Sequence, residues 1–284
     1  MKRIAVTGGS GKLGRAVVAD LLEHGYRVVN LDRSPPEHQD CPFVQVDLSD
    51  FGQTVGALTG VDARLRHVDA IVHLAAFPAP GLTTNNATFT NNITSTYNVF
   101  EAARIAGIRN IVWSSSETLL GLPFDTPPAY LPVDEDVEPR PESAYSLSKL
   151  LGETLARQMC RWDPQLKISA LRFSNVMEVE DYAAFPNFDA DSSLRRWNLW
   201  AYVDARDGAQ AIRLALETRG TGFDTFIIAS ADTVMGRSSH DLVAEQFPDV
   251  PVRTTLGEHE TLLSIDKARS ILGYSPRHSW RDEN

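Results

Sequence analysis

The sequence predicts an α/β fold built on a mostly parallel sheet. Three observations carry that expectation. Short apolar runs alternate with amphipathic stretches along the first two-thirds of the chain. The runs are apolar or β-branched almost throughout, as strands covered on both faces must be. A glycine-rich turn joins the first run to the first amphipathic stretch. Strands alternating with helices form parallel neighbours joined by right-handed crossovers.

The predicted strands are 3–7 (RIAVT), 27–31 (RVVNL), 43–46 (FVQV), 70–75 (AIVHLA), 110–115 (NIVWSS) and 167–173 (KISALRF). Predicted helices cover 14–25, 92–107 and 143–160, and the first two end at glycine, a common helix stop. After residue 200 the pattern gives a helix at 204–218, a strand at 224–230, a helix at 237–246 and a short helix at 265–272. Two long irregular segments interrupt the order. Residues 117–142 hold six prolines and follow a strand that ends in serines. Residues 176–200 mix acids with aromatics. Both leave carboxyl ends of strands, where open α/β sheets bind ligands, and loops of such length in compact domains are usually functional. The proline run therefore reads as a lid. Residues 1–175 are expected to form a nucleotide-binding unit. Residues 176–284 are expected to be mostly a small substrate-binding region, interleaved with the last sheet elements at 204–230.

Composition narrows the partners. The 284 residues are 43% hydrophobic and 23% charged, with a net charge of −10. An acidic chain without a basic cluster is poorly suited to nucleic acid or an anionic membrane. No apolar run approaches the ~20 residues of a membrane span, and the N-terminus has neither the apolar length nor the cleavage site of a signal peptide. Two cysteines, Cys41 and Cys160, lie far apart. A reduced, cytoplasmic setting is expected, in which the sequons at Asn86 and Asn92 are accidental. No metal ligand set is expected.

In "AVTGGSGKLGRAVV", glycines stand at 8, 11 and 14 between the first strand and the first helix. That context suits a dinucleotide. Gly8 permits the tight turn, Gly11 lets the backbone approach a pyrophosphate at the helix N-terminus, and Gly14 lets helix and strand pack closely. Asp32 ends the second strand. A carboxylate there accepts ribose hydroxyls and repels a 2′-phosphate, which favours NAD over NADP. Arg33 can pair with a phosphate and keeps NADP open. Asp47 and Leu48 follow the third strand, where adenine would lie. Asp47 also reads as a helix N-cap, a role at least as well suited to Asp50.

Tyr145 and Lys149 stand four residues apart in a predicted helix, hence on one face. A free tyrosine titrates near ~10, too high for a base at neutral pH. A neighbouring ammonium and a positive nicotinamide favour the phenolate. With a serine hydroxyl holding the substrate oxygen, that pair can take a proton from a carbinol while hydride leaves its carbon.

With these residues the chain resembles the extended short-chain dehydrogenase/reductase family, in its NAD-dependent epimerase/dehydratase group. The matching stretches are TGGSGKLG, LD at 31–32, DL at 47–48, HLAA at 73–76, NNITST at 91–96, SSSETLLG, the Tyr145–Lys149 segment, LRFSNV at 171–176, YVDARDGAQA at 202–211 and KARSILGYSP. The resemblance implies a Rossmann-type, doubly wound, seven-stranded sheet with a small C-terminal substrate-capping region. It implies Ser116, Tyr145 and Lys149 as the catalytic set. It also implies Lys12, Leu13, Leu74, Ala75, Ala76, Asn92 and Ser174 as cofactor contacts, and a homodimer through the helices around 92–107 and 143–160.

Departures from the family bear on the substrate. Only about 25 residues separate LRFSN from YVDARD, and five are acids against Arg195 and Arg196. The arginine that usually grips a nucleotide aligns with Asn198. A diphosphate needs positive, donor-rich partners. The short segment resembles that of uronate dehydrogenases, in which an arginine clamps the substrate carboxylate. Arg172, Arg195 or Arg196 can take that part, or be surface charges. Asn175 is expected on the substrate side. Glu117 stands where the family's dehydratases place an acid, but Thr118 replaces the second acid of that pair, so a polar wall residue is the favoured reading. His73 and Trp113 are expected to be packing residues, while Trp197, Trp200 and Tyr202 can stack on a sugar. Three functions follow: NAD-dependent oxidation of a hydroxyl-bearing carbon of a small sugar or sugar acid, epimerisation (or dehydration) of a sugar nucleotide with transient hydride transfer, and non-catalytic NAD-binding regulation.

Overall fold

The computed structural model describes residues 2–60 and 67–283. Strand β1 (Arg3–Thr7) leads through the glycine turn into helix α1 (Lys12–Glu23). Then follow β2 (Arg27–Asp32), β3 (Phe43–Gln45), α2 (Phe51–Thr59), β4 (Ala70–His73), α3 (Asn85–Ala106) and β5 (Asn110–Ser116). The irregular proline segment leads to α4 (Ala144–Trp162) and β6 (Lys167–Phe173). Beyond it lie β7 (Val176–Met177), two 3-10 turns at Val179–Phe188 and Ser192–Asn198, β8 (Val203–Asp204), α5 (Ala205–Glu217), β9 (Gly222–Ile228) and α6 (Ser239–Gln246).

Seven strands form one parallel sheet in the order β3-β2-β1-β4-β5-β6-β9, while β7 and β8 pair separately. Along each strand alternate side chains enter opposite layers. Ile4 and Val6 join one core, and Ala5 joins the other. Helices α1 and α5 pack together, and α3 packs between α2 and α4. The strand order reverses between β1 and β4, and open α/β sheets bind ligands outside the carboxyl ends at such a point.

Several expectations need correcting. Helix α2 was not foreseen, because Gly52 and Gly56 interrupt its pattern. Asp50 starts it by accepting from the Gln53 amide. Helix α3 begins at Asn85, where Thr84 caps it, since a polar TTNN run hid its first two turns. Strand β9 lies two residues earlier than expected, and the last helix is a single π-type turn at Ala268–Leu272.

The proline segment is no free lid. Leu131 and Val133 are fully buried, and their amides donate to Pro251 O (3.0 Å) and Leu262 O (2.8 Å). It forms a fixed wall against the C-terminal part of the chain.

Helix α4 approaches β5 closely because Gly152 faces the Trp113 indole; a Cβ there would lie 2.6 Å from Trp113 Cζ2. We expect Gly152→Ala to cost about 1–3 kcal/mol through overpacking, read as a lower urea midpoint. An unchanged midpoint would show that α4 can lift off the strand without penalty.

Candidate active site

A cleft of about 1170 Å³ opens over the switch point between β1 and β4. Its cofactor end is built on the glycine turn. Gly8 adopts φ +72°, and a Cβ on it would lie 2.7 Å from the Ala75 amide nitrogen. A Cβ on Gly14 would overlap Gly8 O, so helix, turn and strand close up only without side chains. Thr7 ties the two strand ends together. Its Oγ1 accepts from the amides of Leu74 (3.2 Å) and Ala75 (3.3 Å), so its proton goes to His73 Nδ1 at 2.7 Å. Burial pushes the His73 pKa down to about 3, so the ring is neutral and carries its proton on Nε2. It is a packing residue, as expected.

Gly8, Gly11, Lys12, Leu13, Gly14, Asp32, Arg33, Leu48, Leu74, Ala75, Ala76 and Ser174 all line the cleft. Asp32 accepts from the Ser10 amide (3.1 Å) and the Ser34 amide (3.2 Å), which fixes its carboxylate at the rim. The turn, the open helix N-terminus and this carboxylate fit a dinucleotide with an unmodified ribose. Asp47, Asn92 and Lys149, also expected as cofactor contacts, lie outside the lining. Asp47 turns to Arg33 (2.7 Å) and to the Ser49 hydroxyl (2.6 Å), which together lower its pKa to about 2. Asn92 is buried and clasps Phe77, accepting from its amide (2.8 Å) and donating to its carbonyl (3.0 Å). Asn91 and Ser95, one and three residues away, reach the cleft instead.

At the other end Ser116, Glu117, Tyr145 and Asn175 line the cleft beside Trp197. The Ser116 hydroxyl faces the Tyr145 phenol and accepts from the Thr118 amide (3.2 Å) and hydroxyl (3.0 Å). Burial pushes the Tyr145 pKa up to about 12; Ser116 opposes the shift and Glu117 adds to it. Lys149 lies behind the tyrosine, its Nζ 5.6 Å from the ring centroid and 2.5 Å from Ser114 O. Burial lowers its pKa to about 7, against the pull of Glu153. Glu117 is 3% exposed, and burial raises its pKa to about 7.

The arginines expected to clamp a carboxylate do not reach the cleft. Arg172 is spent on Glu153, with paired bonds of 2.9 Å. Arg195 donates to Ala201 O (3.1 Å) and stacks on Trp197 and Phe188. Arg196 donates to Phe124 O (3.0 Å) and covers the Phe247 ring. Trp200 and Tyr202 are fully buried and offer a sugar no face, whereas Trp197 lines the cleft. The acids at 178 and 181 serve the glycine turn: Asp181 pairs with Lys12 at 2.5 Å and Glu178 with Arg15 at 2.7 Å. Sequence reasoning missed these links because they span more than 160 residues. Among the described residues no cluster is placed to hold a metal, and no helix is long and apolar enough to cross a membrane.

Comparison with known proteins places this geometry in a family. Residues 4–229 match the model of the NAD dependent epimerase/dehydratase family. A UDP-glucose 4-epimerase of Oryza sativa is 32% identical over 211 residues, 66% of this chain and 49% of the epimerase. The chain spans about half the length of most of the curated epimerases it matches. An L-arabinose 1-dehydrogenase (NAD(P)(+)) of Haloferax volcanii is 26% identical over 287 residues, covering 98% of this chain and 97% of that one. Among solved structures, a UDP-galactose 4-epimerase superposes with a TM-score of 0.72 at 26% identity, over 99% of this chain and 95% of the other. A mutated uronate dehydrogenase shares the fold, with a TM-score of 0.68 at 23% identity over 99% and 85% of the two chains. With its glycine turn, its Asp32 rim and its seven parallel strands, the chain belongs to the NAD dependent epimerase/dehydratase family.

Proposed function

We propose that the protein is an NAD-dependent dehydrogenase that oxidises a hydroxyl-bearing carbon of a small sugar or sugar acid. One observation carries this reading over epimerisation of a sugar nucleotide. Among the described residues, the cationic side chains lining the cleft are Lys12 and Arg33, and both belong to the cofactor end. A nucleotide diphosphate at the reacting end would meet no arginine or lysine side chain of the described residues on the cleft wall. The end-to-end similarity to a sugar dehydrogenase points the same way. The identity to curated epimerases keeps the second reading in view.

Bound in this cleft, NAD supplies a hydride acceptor and a positive charge. The rest of the chemistry belongs to the chain. Ser116 holds the substrate hydroxyl against Tyr145. The phenolate takes the hydroxyl proton, and hydride leaves the same carbon, so a carbinol becomes a carbonyl or a lactol becomes a lactone. Burial alone keeps Tyr145 protonated, so the base form needs added positive charge nearby. Lys149 supplies part of it and fixes the helix face by its bond to Ser114 O. The exposed Tyr97, Ile105, Leu147, Leu151 and Trp162 on α3 and α4 support the further reading that two copies pair through these helices.

Purified protein is expected to form stoichiometric NADH from a free sugar, and Tyr145→Phe to lose about 10²–10⁴-fold in turnover while NAD affinity holds. Isomerised UDP-sugar without net NADH would establish the epimerase instead, and a fully active phenylalanine variant would remove the proton relay. Asp32→Ala should weaken NAD more than NADP in fluorescence titrations; equal losses would undo the ribose assignment. Sedimentation equilibrium should give twice the 31.3 kDa chain mass, and a monomer would refute the helix-paired dimer.

A further inference from the structure

The proposed oxidation leaves one buried acid in the cleft without a role. Glu117 directly follows Ser116, lines the reacting end and is 3% exposed. Its Oε1 receives Asn198 Nδ2 at 3.4 Å, and the Ser174 hydroxyl and Asn175 amide face the carboxyl group. Its Oε2 has no hydrogen-bond partner among the described residues. A buried acceptor left open is costly unless a donor fills it. Asn198 Oδ1 and Arg195 Nε nearby are also without a partner among the described residues. Ser174 lines the cleft, whereas Arg195 and Asn198 stand behind Glu117, outside the lining. Arg195 from the Ser192–Asn198 turn and Tyr145 from α4 are the titratable groups that act on the acid.

The reacting end therefore offers a carboxyl group, hydroxyls, an asparagine and an indole. Among the described residues, no cation on the cleft wall there can receive an anionic substituent. Lys149 is held on Ser114 O behind the tyrosine, and Arg172 is held on Glu153.

We propose that Glu117 is a specificity-determining ligand whose buried, unpartnered Oε2 accepts a hydroxyl of a neutral, unphosphorylated sugar and turns away uronates and sugar nucleotides. This rests on the reading of the same cleft as a sugar dehydrogenase, and it narrows that reading to uncharged substrates. A sugar carries vicinal hydroxyls, so one can meet Glu117 while its neighbour meets Ser116 and Tyr145. A ring lying across Trp197 presents both edges to these groups. A carboxylate in the same place would face like charge, with Arg195 stacked on aromatic rings outside the lining. A site built to bond a hydroxyl rejects an analogue that lacks it far more strongly than an apolar pocket can.

Glu117→Gln tests this. The substitution keeps shape and removes charge. Burial places the Glu117 pKa at about 7, above its ordinary 4.5. The burial penalty is therefore absent well below the ordinary value and complete above pH 7, so the variant should be at least as stable as the parent at pH 8. The main readout is binding to the protein–NADH complex at pH 8, followed by nicotinamide fluorescence. The probes are L-arabinose, D-galactose, D-galacturonate, D-glucuronate and UDP-glucose. Neutral sugars should bind at least ~10-fold tighter than the uronates, and Glu117→Gln should weaken them ~10-fold or more and narrow the ratio. Uronates or UDP-glucose binding as well as neutral sugars, or a ratio that Glu117→Gln leaves unchanged, would overturn the proposal. NADH formation from the same compounds is read separately. A retained neutral-sugar preference without NADH would defeat the dehydrogenase and leave Glu117 as a sugar ligand. Faster NADH formation from uronates would keep the dehydrogenase and defeat the role of Glu117.

Discussion

Arg172 of β6 and Glu153 of α4 meet almost out of water, with side chains 4% and 2% exposed and two bonds of 2.9 Å. Ser115 of β5 donates to the same carboxylate at 2.7 Å. Three elements are thereby joined at one point, and each carries part of the cleft: Ser116 ends β5, Tyr145 and Lys149 open α4, and Ser174 follows β6. Such a pair adds little net stability over an apolar packing, but losing one partner strands a buried charge at about 3–5 kcal/mol. The pair therefore acts as a register device, since α4 cannot slide along the sheet without breaking it. Gly152, one residue before Glu153, lets the helix lie close enough on Trp113 for the bonds to form.

A second constraint sits at the other end of the cleft. The segment after β7 is rich in acids, which is unexpected above a site meant for an anionic cofactor. Two of those acids face the first turn of α1, where Lys12 and Arg15 wait for them. These ion pairs are half-exposed and each contributes about 0–1 kcal/mol. Their effect lies in placement: they dock the Val179–Phe188 turn beside the glycine loop and cancel charge there. Among the described residues, the cations that line the cleft, Lys12 and Arg33, stand at its cofactor end and are each paired with an acid. Its reacting end carries Glu117 and neutral donors.

Protonation follows the same division. With no solvent around them, Tyr145 stays a phenol, Lys149 gives up part of its preference for charge, and Glu117 titrates near neutrality. All three shifts have burial as their largest cause, so a charge brought into the cleft acts on each with little screening. The neutral His73 adds no charge of its own and serves to hold the two loops at the switch point through Thr7.

The amino-acid order alone determined the sheet, because strands buried on both faces must be apolar and the glycine turn has few other uses in that context. Asp32 and the Tyr145–Lys149 spacing are local patterns, legible within one strand end or one helix turn, and the family resemblance singled out Ser116 beside them. Helix α2 escaped because two glycines broke its pattern, although its cap at Asp50 was legible. Whether an arginine is free could not be read from the chain. Arg172, Arg195 and Arg196 differ only in what folds against them: Glu153, the Trp197 and Phe188 rings, and the Phe247 ring. The same holds for Asn92, Asp47 and Trp200. A side chain's partner is chosen by packing between segments distant in sequence, and only the tertiary structure decides which charges remain to meet a ligand.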